Sequence, residues 1–161
     1  MKPVRVLFVC LGNICRSPMA EALLRHKVKQ ASLQEVIIID SAGTGDWHIG
    51  HPPHAGTRKI LKHHGIDDAG LIARKIDTAD LAAFDYVIAM DRSNEENIRK
   101  LGNGSARILL MLDLLPNDQR KDVPDPYFTG NFEEVYAMLD EACDQLLAMI
   151  LEAIILADGT T

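Results

Sequence analysis

A chain of 161 residues suits one ordinary domain and is too short for two full-sized ones. With 47% hydrophobic and 25% charged residues it has the balance of a folded globular protein, which excludes a disordered chain, and no apolar run approaches a membrane span. The net charge of −6 argues against a nucleic-acid partner, and three cysteines are too few for a disulfide framework, so a reducing cytoplasm is the expected location.

Two kinds of segment alternate. Val4 to Val9 is a β-branched, apolar run ending at Cys10; the stretch Met1 to Val9 carries Lys2 and Arg5 but no small-residue cleavage site follows, so no secretory leader is expected. Pro18 to Lys29 has the spacing of a helix, with Met19, Ala22, Leu23 and His26 on one face. Val36 to Ile39 reads as a second strand, closed by Asp40 and the glycine-bearing stretch Ser41–Asp46. Pro53 to His64 reads as a helix with Ile60 and Leu61 inward and Gly65 as its stop. Asp85 to Met90 is a third strand, Ser93 to Leu101 a helix ended by Gly102, and Ala106 to Met111 a fourth strand. A long loop, Asp113 to Gly130, carries Pro116, Pro124 and Pro126. The final helix is marked by Phe132, Val135, Tyr136, Leu139, Cys143, Leu146, Ile150 and Ile154 at steps of three and four.

Strands alternating with helices predict an α/β fold: one domain spanning 1–161, with a four-stranded parallel sheet flanked by helices on both faces. Ligands of such sheets bind beyond the carboxyl ends of the strands. That position belongs to Cys10-Leu11-Gly12-Asn13-Ile14-Cys15-Arg16-Ser17-Pro18. Pro18 suits the first helical position, and Gly12 and Asn13 tolerate left-handed backbone angles that turn successive N–H groups inward as an anion nest. The helix N-terminus adds positive potential, and Arg16 can fork onto two oxygens of a phosphate. The same donors favour the thiolate form of Cys10, a nucleophile aimed at phosphorus, and Ser17 is near enough in sequence to hydrogen-bond its sulfur. The loop lacks the Gly-Lys-Ser/Thr of a Walker loop and the later glycines of a dinucleotide fingerprint. Cys10 and Cys15 are wrongly spaced for a zinc pair, and no second pair completes one.

Charge is unevenly distributed. Residues 1–75 hold 11 basic and 6 acidic side chains, net +5, and residues 76–161 hold 6 and 17, net −11. If the chemistry lies in the first half, an anionic substrate meets a positive face.

Val9 to Glu21 resembles the signature of the low-molecular-weight protein tyrosine phosphatases. The resemblance continues through Ser41-Ala42-Gly43-Thr44 with Trp47, His64-Gly65-Ile66, Ala73-Arg74, Phe84-Asp85, Met90-Asp91 with Ser93-Asn94, and Asp125-Pro126-Tyr127. It implies hydrolysis of phosphotyrosine and aryl phosphates through a cysteinyl-phosphate, with Cys10, Arg16 and Asp125 catalytic. Leu11, Gly12, Asn13, Ile14, Cys15 and Ser17 would bind the phosphate, with Asn13 holding the loop's shape and Asp91 supporting the network beneath it. No metal or other cofactor is implied. The partners would be phosphotyrosine proteins or small aryl phosphates, with inorganic phosphate as product inhibitor; neither nucleic acid nor membrane is expected.

From side-chain chemistry alone, Asp118, Asp122 and Asp125 are equally available as the acid that protonates the leaving oxygen. Pro126 restricts Asp125 to extended angles, and the resemblance selects it. Trp47, Tyr127 and Phe128 are candidate walls for a flat ring, Trp47 having core packing as its alternative. Three departures from the family stand out. Phe128 replaces a second tyrosine, Leu71 stands where several members carry a histidine that supports the loop serine, and Ile14 stands where the related arginine phosphatases place threonine.

The remaining chemistry-bearing residues have plainer readings. His48, His51, His54 and the pair His63-His64 read as solvated, since Pro52 and Pro53 interrupt any helix that would align the first three. Cys143 reads as core, and Glu133, Glu134, Asp140, Glu141 and Asp144 as a solvated face. Cys15 is either a small side chain behind the loop or a resolving thiol for oxidised Cys10. Two rival enzyme readings are a thiol-dependent arsenate reductase, for which cysteines are scarce, and a protein arginine phosphatase. A receiver or inactive phosphate-binding module is disfavoured by Cys10, Arg16 and Asp125 together.

Overall fold

The computed structural model describes residues 2–159. Its sheet has four parallel strands, β1 (Val4–Cys10), β2 (Ile37–Gly43), β3 (Tyr86–Ala89) and β4 (Arg107–Leu110), in the order β2-β1-β3-β4. Helices connect them: α1 (Arg16–Gln30), α2 (Ala55–His63), α3 (Asp80–Ala83) and α4 (Arg92–Arg99). A 3-10 turn (Met111–Leu114), the short α5 (Pro126–Thr129) and the long α6 (Phe132–Gly159) follow. The architecture is the expected α/β domain.

Alternation along β1 builds both cores. Val6, Phe8 and Cys10 face a layer that includes Leu23 of α1, Leu61 of α2 and Leu139 of α6. Leu7 and Val9 face the opposite layer, with Leu81 of α3 and Ile98 of α4. Each such large side chain fully removed from water stabilises the fold by roughly 1.5–3 kcal/mol. The chain leaves β1 toward β2 on one side and returns to β3 on the other, so the carboxyl end of β1 is the switch point where the sheet opens a crevice.

Several boundaries differ from the expectation. β2 does not stop at Ile39 but runs to Gly43, because the seven-residue β1 offers it a full ladder ending in the Cys10–Gly43 pair. α1 begins at Arg16, so Pro18 is its third residue rather than its first. It is tolerated there because first-turn N–H groups lack intrahelical acceptors. The long loop is not continuous, since α5 lies within it, and the four-residue α3 carried too little periodicity to read.

On the solvated face expected of α6, Asp140 and Asp144 also clamp Lys27 of α1 at 2.7 and 2.8 Å. His64 is exposed, as expected, with its ring stacked on Tyr136 at a centroid distance of 3.9 Å. Cys143 is fully buried in the core, as expected. Among the described residues no helix is long and apolar enough to cross a membrane.

Candidate active site

The segment from Cys10 to Ser17 curls between β1 and α1, and its neighbours turn its carbonyls outward. Thr44 N–H donates to Cys10 O and Gly45 N–H to Leu11 O, both at 2.9 Å. His54 N–H donates to Ile14 O at 2.8 Å, and Thr57 Oγ1 donates to Cys15 O at 3.3 Å. A trans peptide sends its N–H opposite to its C=O. The N–H groups of Leu11, Gly12, Cys15 and Arg16 are therefore directed to the inner side of the loop, and no cis peptide breaks the rule. The N-cap residue of α1, Cys15, makes no side-chain cap, so the first-turn donors and the positive helix end face the same concavity.

Asn13 carries the left-handed angle expected at this turn, with φ 56°; Gly12 does not need one. Glycine is required instead at position 43, where an added Cβ would lie 2.9 Å from Leu11 O and 3.1 Å from the carbonyl carbon of Gly12. Residue 43 thus lets β2 approach the loop closely.

The sulfur of Cys10 sits at the base of the curl, 2% exposed. It accepts the Asn13 N–H at 3.3 Å and lies 3.0 Å from Ser17 Oγ. Arg16, also 2% exposed, donates through Nη1 to Asp91 Oδ2 at 2.7 Å and to Val123 O at 3.0 Å, and through Nη2 to Asp125 Oδ2 at 3.3 Å. Its buried Nε has no partner among the described residues. A buried guanidinium N–H left unpaired beside a ring of inward amides fits an oxyanion. Burial opposes the charge on Arg16, but Cys10, Asp91 and Asp125 outweigh it and raise its pKa. Burial, with Cys10 and Asp125 adding, pushes the Cys15 thiol up to about 12.

Above this base opens a cleft of about 390 Å³. Cys10, Leu11, Gly12, Ile14 and Cys15 form its floor, and Trp47, Tyr127 and Phe128 its walls. Trp47 is 66% exposed, so the core alternative for it is excluded. Tyr127 and Phe128 meet edge to face at 5.2 Å. Asn13, Arg16, Ser17 and Asp91 lie beneath the floor rather than lining the cleft.

Of the three carboxylates left open by the sequence, only Asp125 reaches the cleft. It is the N-cap of α5, with Oδ1 accepting the Tyr127 N–H at 3.1 Å, and its φ −88°, ψ 110° are the extended angles a following proline imposes. Asp122 is occupied by Arg92, whose hydrogen bonds hold it below the usual carboxylate range, and Asp118 is held down in the same way by Arg120.

Two of the histidines read as solvated belong to the site's surroundings. His48 is half-buried and lines the cleft, with its ring 6.4 Å from that of Tyr127. His54 caps α2 by accepting the Gly56 N–H at its Nδ1 and stacks on Phe132 at 5.2 Å. The adjacency of His48 to Trp47 was the only sequence signal for the first. Among the described residues no group of side chains is arranged to hold a metal ion.

The model of the low molecular weight phosphotyrosine protein phosphatase family matches residues 5–154. The chain belongs to that family. It is thus a hydrolase of the phosphotyrosine protein phosphatase class. It is 50% identical over 149 residues to the low molecular weight protein-tyrosine-phosphatase YfkJ of Bacillus subtilis, covering 91% of this chain and 96% of that protein. The crystal structure of YfkJ superposes with a TM-score of 0.92, covering 95% of this chain and 98% of that one. It is 46% identical to the low molecular weight protein-tyrosine-phosphatase PtpA of Staphylococcus aureus, over 97% of this chain and 99% of PtpA. The crystal structure of DARP, a drosophila arginine phosphatase, is 35% identical with a TM-score of 0.84, covering 93% of this chain and 98% of that one.

Proposed function

We propose that this family member hydrolyses phosphotyrosine in proteins, and small aryl phosphates, in two steps on Cys10. The observation that carries the reading is one buried sulfur at the centre of inward amides, with Asp125 on the cleft above it and joined to the buried Arg16. The phosphoryl group would sit on the amides of the loop, with Arg16 supplying the positive charge. The Cys10 thiolate attacks phosphorus while the P–O bond to the aryl group breaks, and Asp125, as the acid, gives its proton to the departing oxygen. Asp125, now a carboxylate, takes a proton from water as that water attacks phosphorus. The P–S bond breaks, and the Ser17 hydroxyl stabilises the departing thiolate. Inorganic phosphate leaves and competes for the same loop. The charge on the transferring group is met by amides, a helix end and Arg16, so the chemistry needs no metal or other cofactor. Trp47, Tyr127 and Phe128 would hold the aromatic ring.

Residues 1–161 are taken as one phosphatase domain working in the cytoplasm, where its three free cysteines stay reduced. Arginine phosphatase activity is the second reading, favoured by the similarity to DARP. Ile14 on the floor of the cleft and the aromatic walls speak for the aryl substrate. Arsenate reduction would need a relay of thiols, and Cys143 is fully buried, away from the cleft.

The test is Cys10→Ser assayed on phosphotyrosine peptides, phosphoarginine and arsenate. Turnover of phosphotyrosine is expected in the wild type and lost in the variant, while phosphate binding and the fold persist. Steady-state activity in Cys10→Ser sinks the nucleophile assignment, and preference for phosphoarginine sinks the substrate assignment.

A further inference from the structure

Glu21 is a buried carboxyl, 8% exposed, that takes no part in the chemistry above. Its Oε1 lies 2.6 Å from Ser41 Oγ. Ser41 Oγ lies 2.9 Å from Asn13 Nδ2, which also lies 2.8 Å from Ser17 Oγ, and Ser17 Oγ lies 3.0 Å from Cys10 Sγ. An unbroken buried path therefore joins Glu21 to the sulfur.

The direction of each hydrogen bond along this path follows from counting protons. Asn13 Oδ1 accepts the backbone N–H of Arg74 at 3.0 Å, which fixes the amide with its nitrogen toward the two serines. Both N–H bonds of Asn13 are then spent, one on each serine oxygen. Each serine must give its own proton elsewhere. For Ser17 the nearer acceptor is Cys10 Sγ at 3.0 Å, with Ala42 O at 3.4 Å. For Ser41 the acceptor is Glu21 Oε1. With Arg25 on its other oxygen, the ionised carboxyl offers Oε1 as the acceptor, and the polarity is that of the carboxylate form. The other oxygen of Glu21 faces Arg25 at 3.2 Å, and Asp40 is the remaining charge acting on it.

Leu71 is packed in the apolar core. Ser17 takes its support from Asn13.

We infer that Glu21 is a positioning residue: by accepting the Ser41 proton it keeps the Ser41 oxygen free to accept from Asn13, and so secures the amide orientation set by Arg74 N–H that leaves the Ser17 proton directed at Cys10. This rests on the reading of Cys10 as nucleophile. Without an acceptor at position 21 the Ser41 proton turns toward the Asn13 nitrogen, the amide loses one of its two acceptors and is held by Arg74 N–H and Ser17 alone, and the Ser17 donor to the thiolate is less well placed.

The experiment compares full-length wild type, Glu21→Leu, Glu21→Gln, Ser41→Ala and the Glu21→Leu/Ser41→Ala double variant. One readout is the pH midpoint of alkylation by iodoacetate, with the modified residue located by mass spectrometry. The others are kcat and KM on an aryl phosphate. Glu21→Leu is expected to move the midpoint to higher pH and to lower kcat about tenfold more than it changes KM. Glu21→Gln, whose Oε1 still accepts, should keep both at wild-type values. Ser41→Ala should reproduce the loss, and the double variant should be no worse than either single one. A folded Glu21→Leu with wild-type midpoint and kcat overturns the inference, as do losses that simply add. Where Glu21→Leu does not fold, Ser41→Ala with wild-type values overturns it. Wild-type alkylation at a residue other than Cys10 overturns the nucleophile reading and the inference together.

Discussion

Arg16 and Asp91, 75 residues apart, are joined at 2.7 Å, and Asp91 makes that contact with the oxygen left over from capping α4. Its Oδ1 accepts the Asn94 N–H at 2.7 Å while its Oδ2 holds Arg16 Nη1. The carboxylate is therefore fixed by the start of a helix before it fixes the guanidinium.

Asp91→Ala leaves a buried guanidinium short of its strongest partner, at a cost of about 3 kcal/mol. We expect a lower Tm, weaker inhibition by inorganic phosphate, and a fall in kcat/KM of at least about tenfold. Thermal melts with and without phosphate check this. An unchanged phosphate inhibition constant would show that Arg16 is held without Asp91.

Asp125→Asn keeps the N-cap of α5 but removes the proton. For poor leaving groups such as a tyrosyl oxygen the loss should be about 10²- to 10⁴-fold, and for a nitrophenolate, which leaves unprotonated, under about tenfold. The leaving-group dependence of the phosphorylation step is the measurement, with Asp122→Asn as control. A larger loss in Asp122→Asn would reassign the acid.

Cys15 is close enough for charge on Cys10 to raise it, and burial pushes its thiol up to about 12. Peroxide should convert the Cys10 thiolate to a sulfenic acid with release of hydroxide. The Cys15 thiol should then condense with it, expelling water and forming a disulfide that dithiothreitol reduces. Because the Cys15 thiolate is scarce, this second step should quicken as pH rises. Bound phosphate should protect. In Cys15→Ser the inactivation should become irreversible. Mass spectrometry decides: equal rates of Cys10 sulfinic acid formation in both proteins exclude Cys15 as the resolving thiol.

Burial lifts the carboxyl of Glu21 above its ordinary value of 4.5, against the opposing hydrogen bond from Ser41. The folded state thus holds this proton more tightly than the unfolded one. The stability it contributes is full below 4.5 and is lost as pH rises through the folded value. Glu21→Gln removes the titration, so its Tm relative to wild type should rise as pH climbs above 4.5. A Tm difference that stays flat over that climb, or falls, contradicts the assignment.

Periodicity and local turn chemistry were enough to read the alternation of strands and helices, the position of the loop after β1 and the inward stripe of α6. These features depend on neighbours within a few residues. The family was legible for the same reason, because its signature, Val9 to Glu21, is contiguous. The choice among Asp118, Asp122 and Asp125 was not legible from side-chain chemistry. It turns on which arginine each one meets, and Arg16 lies 109 residues from Asp125. A count of charge by halves of the chain does not describe the site, since the acidic second half sends Asp91 and Asp125 onto the arginine of the basic first half. Glu21 and Ser41 are 20 residues apart and look unrelated in sequence. A short strand and a helix start carry few apolar positions, so β2 beyond Ile39 and α1 before Pro18 were decided by pairing. The sequence alone determined the fold class and the nucleophile's loop, because both are local. The tertiary structure alone determined which of the three carboxylates reaches the cleft, the hydrogen-bond directions behind the sulfur and the close approach at Gly43. Each of those is a contact between segments brought together only by the sheet.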